Sequence, residues 1–289
     1  MRALNSLIAG GLTAEMALEA FPAVAGDTLP AGTILFDSAA MVQLAQAGRD
    51  HGVVFRRVLE DDLPASTDPI DRVPRIAALT GAVNQDVWSL RDLGFPVDPV
   101  STATINSSPT DPLVNYDVVW NTGNWPGTTQ PTARTRLTAF FAAGGGYLGT
   151  GTGGANFLTA GLQTTGLTVG TNGGAGRSGI IRWLNEGSAS PIAGAYPAQD
   201  TYIVDPPSWF TAVPATYSVD ARLPLTGFFL AGMWQDSEAT TAPGSPFVVH
   251  GMNDTASARL VNWAMNPLYR ADPEREWPMV GAAAYWADQ

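Results

Sequence analysis

The sequence predicts an α/β fold with a mostly parallel, covered sheet, and three observations carry that expectation. From Pro74 to Leu162 short apolar runs alternate with helical patterns. The apolar runs, such as Ile76-Ala77-Ala78-Leu79, read as strands of the buried type found in parallel sheets. Glycines punctuate the joins: Gly94, then Gly144-Gly145-Gly146, then a run from Gly149 to Gly154.

The elements follow in order. Residues 3–21 have helical spacing, with Leu4, Leu7, Ile8, Leu12, Met16 and Leu18 on or near one face, though Gly10-Gly11 would break it. Leu29 to Phe36 reads as a turn feeding a short strand, and Ser38 is placed to cap a helix from Ala39 to about Arg49. Val53-Val54-Phe55 reads as a second strand. Residues 60–72, acidic and carrying Pro64 and Pro69, read as a linker. These pieces make a small N-terminal α/β region, 1–72.

The main domain is expected over 73–289. Strands are predicted at 75–79, from Phe95, at 116–121 and at Tyr147-Leu148. Helices are predicted over Asp86 to Leu93, Thr132 to Ala143 and Ala155 to Leu162. Residues 163–250, rich in Gly, Pro, Thr and aromatics, are expected to form a β-rich insertion that roofs the sheet. Strands return at 246–250 and 258–263. A closing helix spans Pro273 to Trp286, with Asp272 as its N-cap.

Composition excludes several functions. The 289 residues hold fifteen Arg, no Lys and a net charge of −11. A lysine-free acidic chain lacks the cationic contacts that drive nucleic-acid binding. With no Cys, disulfides and thiolate chemistry are excluded. Two His leave too few ligands for a zinc site, and no EF-hand pattern supplies a Ca²⁺ loop. No metal or cofactor is therefore expected. The glycine pattern Gly149-x-Gly151-x-x-Gly154 fits a dinucleotide fingerprint. However, no acid follows about 20 residues on, the next after Asp117 being Glu186. No apolar run approaches the ~20 residues of a membrane span. The opening residues, with one Arg and early Glu15 and Glu19, do not form a signal-peptide pattern.

The glycine turn is the most informative stretch. Gly144-Gly145-Gly146-Tyr147-Leu148-Gly149-Thr150-Gly151-Thr152-Gly153 places a short strand between a glycine run and a helix. It resembles class I glutamine-amidotransferase-like domains, whose segment reads roughly Gly-Gly-x-x-Gly-x-Cys-x-Gly. Tyr116 to Gly123 resembles the strand and loop that supply that family's oxyanion hole. The resemblance implies a flavodoxin-like sheet with a nucleophile on a sharp strand-to-helix elbow. The nucleophile position falls on Gly151, which has no side chain. Thr150 or Thr152 would serve only with a base. The base position falls on His250, but His250-Gly251-Met252 lacks the acid the family places two residues on.

A second resemblance spans most of the chain. Its residues are Arg2 to Asn5, Leu29 to Thr33, Pro74 to Ala77, Leu93 to Pro96 and Asn266 to Ala271. Together they resemble the region downstream of the catalytic domain in large secreted bacterial zinc carboxypeptidases of the carboxypeptidase A type. That family's His-x-x-Glu motif is missing: Val54 lies three residues after His51, and Asn253 three after His250. The resemblance implies association with an exported peptidase, not peptidase activity in these residues.

The expectation is a non-catalytic accessory or binding domain of a secreted peptidase-like protein, with a peptidase domain, peptide or carbohydrate as partner. No pattern in the chain sets an oligomeric state. One alternative is a hydrolase using Thr150 or Thr152 with His250. The other is a carbohydrate or cell-surface binding module. Among nine Trp, the rings of Trp125, Trp183, Trp209 and Trp234 are candidates to line a shared apolar cleft, with core filling as the competing assignment.

Overall fold

A computed structural model of the chain describes residues 1–23, 26–79, 84–162, 166–171, 178–187, 189–205, 207–233, 241–271 and 275–289. Its centre is one ten-stranded sheet. The strands are β1 (Ile76–Leu79), β2 (Val97–Val100), β3 (Val118–Asn121), β4 (Gly146–Thr150) and β5 (Gly179–Asn185). They continue with β6 (Gln199–Val204), β7 (Tyr217–Arg222), β8 (Phe229–Gly232), β9 (Pro246–Met252) and β10 (Arg259–Trp263).

Five strands pair in parallel, in the spatial order β2-β1-β3-β4-β10. Counted along the chain, that order is 2-1-3-4-5, the flavodoxin-like arrangement. Their residues are buried on both faces: all of β1, β3 and β4 is buried. Such strands need helices above and below, and the chain supplies them.

The helices are α1 (Arg2–Ala9), α2 (Met41–His51), α3 (Asn84–Asp92), α4 (Thr102–Ser107), α5 (Pro131–Ala142), α6 (Gly151–Gly161) and α7 (Trp277–Ala287). α3 stops where Gly94 takes a φ of 92°, the left-handed turn that favours glycine. α7 is apolar nearly all round and nearly all buried, packed on β4 and β10. A helix of that composition belongs inside a core rather than on its surface.

The other half of the sheet is antiparallel. β9 pairs with β10, β7 with β9, and β5 with β7. β6 takes one edge of β5, and β8 shares the other with β7. The β-rich segment expected to roof the sheet therefore mostly extends it edge-on. Only Thr168–Thr171 with Ser208–Ala212 forms a separate ribbon among the described residues of this segment.

In the N-terminal region Ala14–Ala17 pairs with both Ile34–Leu35 and Thr67–Ile70. Three expectations are corrected there. The helical spacing expected over 3–21 gives a helix only to Ala9, and Met16 lies in the strand Ala14–Ala17, which follows the break at Gly10-Gly11. Val53-Val54-Phe55 forms no strand, and Val54 is 84% exposed, so no partner selects the extended ladder. Residues 67–70, expected as linker, are the third strand of this sheet. The region is docked to the main body. Asn5 donates to the Leu93 carbonyl at 2.8 Å and accepts from the Tyr285 hydroxyl of α7. Arg259 pairs with Asp68.

Before α2 the cap is Asp37, not Ser38: its Oδ1 accepts from the Ala39 N–H at 2.7 Å. The expected Asp272 cap and Pro273 of the closing helix lie outside the described residues. α7 instead carries Pro278 in its first turn.

Candidate functional site

In a parallel sheet the loops after the strands gather at the carboxyl edge. Side chains there converge where the strand order reverses. Here the reversal lies between β1 and β3. The cavity found at that edge has a volume of about 190 Å³. It is lined by Asp86 of α3, Thr122 after β3, and Thr150 to Gly153 at the start of α6. Asp205, Ser208 and the Ala264-Met265-Asn266 segment after β10 complete it.

The turn from β4 into α6 is sharper than the sequence suggests. Thr150 is extended (φ −131°, ψ 146°), and the helix begins at the next residue. Gly151 absorbs the change of direction with a φ of 64°. A Cβ built there meets nothing within 4 Å, so the space in front of the elbow is open. Gly153 is glycine for a different reason. Its Cβ would lie 2.2 Å from the Thr122 carbonyl oxygen, so the loop after β3 rests directly on the helix. That loop is held by Asn121, whose Nδ2 donates to the Gly123 carbonyl at 2.6 Å and whose Oδ1 accepts from the Gly123 N–H at 3.1 Å.

α6 has no side-chain cap. Its first N–H groups and the positive end of its dipole face this edge. Thr150 is only 3% exposed, and its hydroxyl has no hydrogen-bond partner among the described residues. Acceptors line the same cavity. Asp86 is fully buried, accepting from Trp120 Nε1 at 3.2 Å and from Asn266 Nδ2 at 3.0 Å. The Tyr269 hydroxyl donates to Asp205 Oδ2. No Arg or His among the described residues lines the cavity.

His250 is elsewhere. It sits on β9 opposite Val261, which pairs with Leu148, two residues short of the elbow. Its Nδ1 lies 2.7 Å from Oδ1 of the fully buried Asp220. Its ring packs edge-on against Trp286 of α7, centroids 4.9 Å apart. The Ser190 hydroxyl donates to the same Asp220 oxygen. The structure thus gives His250 an acid, but Asp220 rather than the following residues, and does not bring the pair to Thr150 or Thr152.

The tryptophans are also dispersed. Trp183 and Trp209 are 1% and 2% exposed, within the core. Trp183 packs on Tyr196 and Phe247. Trp125, partly buried, lies against Phe157 and over Gly161, whose missing side chain makes room for the indole. None of the three lines the cavity. Trp234 lies outside the described residues.

Among the described residues no three His or acidic side chains converge on a point that could hold a metal. Glu276 is a strongly perturbed carboxylate. It caps α7 at 3% exposure, and its Oε2 has no partner among the described residues. Burial first, and then nearby Asp200, push its pKa up to about 8.

No protein-family model matches the chain, and no curated protein matches it. Solved structures do resemble it. A protein named for a GMP synthase subunit, from Thermoplasma acidophilum, is 16% identical, covering 74% of this chain and 96% of its own, with a TM-score of 0.46. A ThuA-like protein from Bacteroides uniformis is 16% identical over 73% of this chain and 90% of its own, at 0.48. PurLQS from Thermotoga maritima is 11% identical over 74% and 99%, at 0.47. The flavodoxin-like assignment rests on the strand order itself, and no chemistry follows from these likenesses.

Proposed function

We propose that the chain is a non-catalytic binding domain that uses the carboxyl-edge crevice to hold a small polar ligand. The observation that carries this reading is Gly151. The elbow keeps its positive φ and its open space, yet presents no nucleophile. The flanking Thr150 and Thr152 have no base beside them, because no His among the described residues lines the crevice. What remains is a set of hydrogen-bonding groups around a cavity, which is binding machinery.

The sequence resemblance to carboxypeptidase-associated regions adds the proposal that this domain accompanies an exported peptidase. An adjoining His-x-x-Glu peptidase core encoded in the same natural reading frame would support it.

Purified protein, assayed for ester, amide and glutamine hydrolysis, is expected to show no turnover that changes in Thr150→Ala, Thr152→Ala or His250→Ala. Reproducible activity lost in a threonine variant and in His250→Ala would overturn the reading in favour of a hydrolase.

A further inference from the structure

We infer that the ligand of the crevice is a small neutral polyhydroxylated molecule of the size of one sugar ring, held between the start of α6 and Asp205. This deepens the binding-domain reading and rests on it.

The donors come from α6. Its first turn is uncapped, and the space a side chain at position 151 would occupy is empty, so a ligand atom can reach the backbone N–H groups directly. The second observation is Thr150. Its hydroxyl belongs to a residue only 3% exposed, has no partner among the described residues, and lines this same cavity. The hydroxyls of Thr122 and Thr152 also belong to the lining.

The acceptors come from other segments of the same lining. Both oxygens of Asp86 already accept hydrogen bonds, from Trp120 and Asn266. Asp205 has one oxygen engaged by Tyr269. Among the described residues its other oxygen has no hydrogen-bond partner, so it is the carboxylate available to a ligand.

Charge and size select the ligand class. An anion at the α6 start would lie in a cavity with two carboxylates and no basic side chain among the described residues. Only a helix charge of about half a unit would oppose that repulsion. A cation near Asp205 would face that same positive end. Alcohol groups escape both penalties, since each hydroxyl donates to a carboxylate and accepts from an N–H. The cavity of about 190 Å³ equals about six waters at ~30 Å³ each. That is below the ~300–1,000 Å³ of drug-sized sites, so it holds one ring and not a chain.

The test is titration of the ¹⁵N-labelled protein with D-glucose, D-galactose, D-mannose and N-acetyl-D-glucosamine, with acetate and L-glutamine as comparators. At least one sugar is expected to give saturable shifts of the Thr152 and Gly153 amides. Binding should weaken on the order of tenfold in Asp205→Asn and on the order of fivefold in Thr150→Val. Asp205→Asn keeps the side-chain shape and serves alone if the buried Thr150→Val fails to fold. The inference is overturned if no sugar saturates, if the variants bind the sugar unchanged, or if L-glutamine alone saturates. In the last case a binding domain remains with a different ligand. Ammonia release from L-glutamine would instead overturn the binding-only reading.

Discussion

His250 Nδ1 and Asp220 Oδ1 stand 2.7 Å apart inside the antiparallel half of the sheet, with Asp220 fully buried and His250 nearly so. This pair ties β9 to β7 and supports Trp286 of α7. Removing the imidazole takes a hydrogen-bond partner from a buried carboxylate, which typically costs about 1–3 kcal/mol. His250→Ala is therefore expected to lower the urea midpoint sharply while crevice binding, measured on the folded fraction, stays unchanged. Equal stability of variant and parent would contradict this.

Glu276 gives a pH dependence of defined sign. Its folded pKa of about 8 exceeds the unfolded value of 4.5. The fold thus favours the protonated form. Stability is full below the unfolded pKa, falls as pH rises from 4.5 towards 8, and is flat above. Asp288, raised mainly by burial to about 6, adds to the fall in the lower part of that window. Glu276→Gln should be more stable than the parent at pH 8 and should flatten the melting-temperature profile above about pH 6. An unchanged profile would rule out Glu276 as its source.

Two neighbouring glycines should respond differently. At Gly151 only the backbone resists a side chain, at roughly 1–2 kcal/mol for a left-handed φ. At Gly153 a methyl would collide with the Thr122 carbonyl at 2.2 Å, and that carbonyl is backbone that cannot swing aside. Gly153→Ala is expected to cost more stability than Gly151→Ala and to shift the amide signals of Thr122 and Gly123. The reverse order in urea melts would contradict the placement of the loop on the helix.

The parallel half of the fold was legible because its signals are local. Glycine stops, apolar runs and the Gly144–Gly154 stretch lie within one β–α unit each. What was not legible depends on partners distant in sequence. Thr67–Ile70 becomes a strand only because Ala14–Ala17 lies beside it. Val53-Val54-Phe55 has strand composition but no partner strand among the described residues. The insertion's Trp183 fills the core because β5 joins the main sheet instead of covering it, and Trp209 is buried on the separate ribbon. In the site, Gly151 could be located from sequence. Asp205 and Asp220 carry no motif, and their roles come from Tyr269 and His250, 64 and 30 residues away.

Residue 151 sits on an open elbow at the positive end of α6. The chain has no cysteine, so Gly151→Cys introduces a single thiol. Its alkylation rate by iodoacetamide in the folded protein reads the access to that point. Fast alkylation without unfolding is expected, because a Cβ at 151 meets nothing within 4 Å. A thiol that does not react until the protein unfolds would contradict the open elbow.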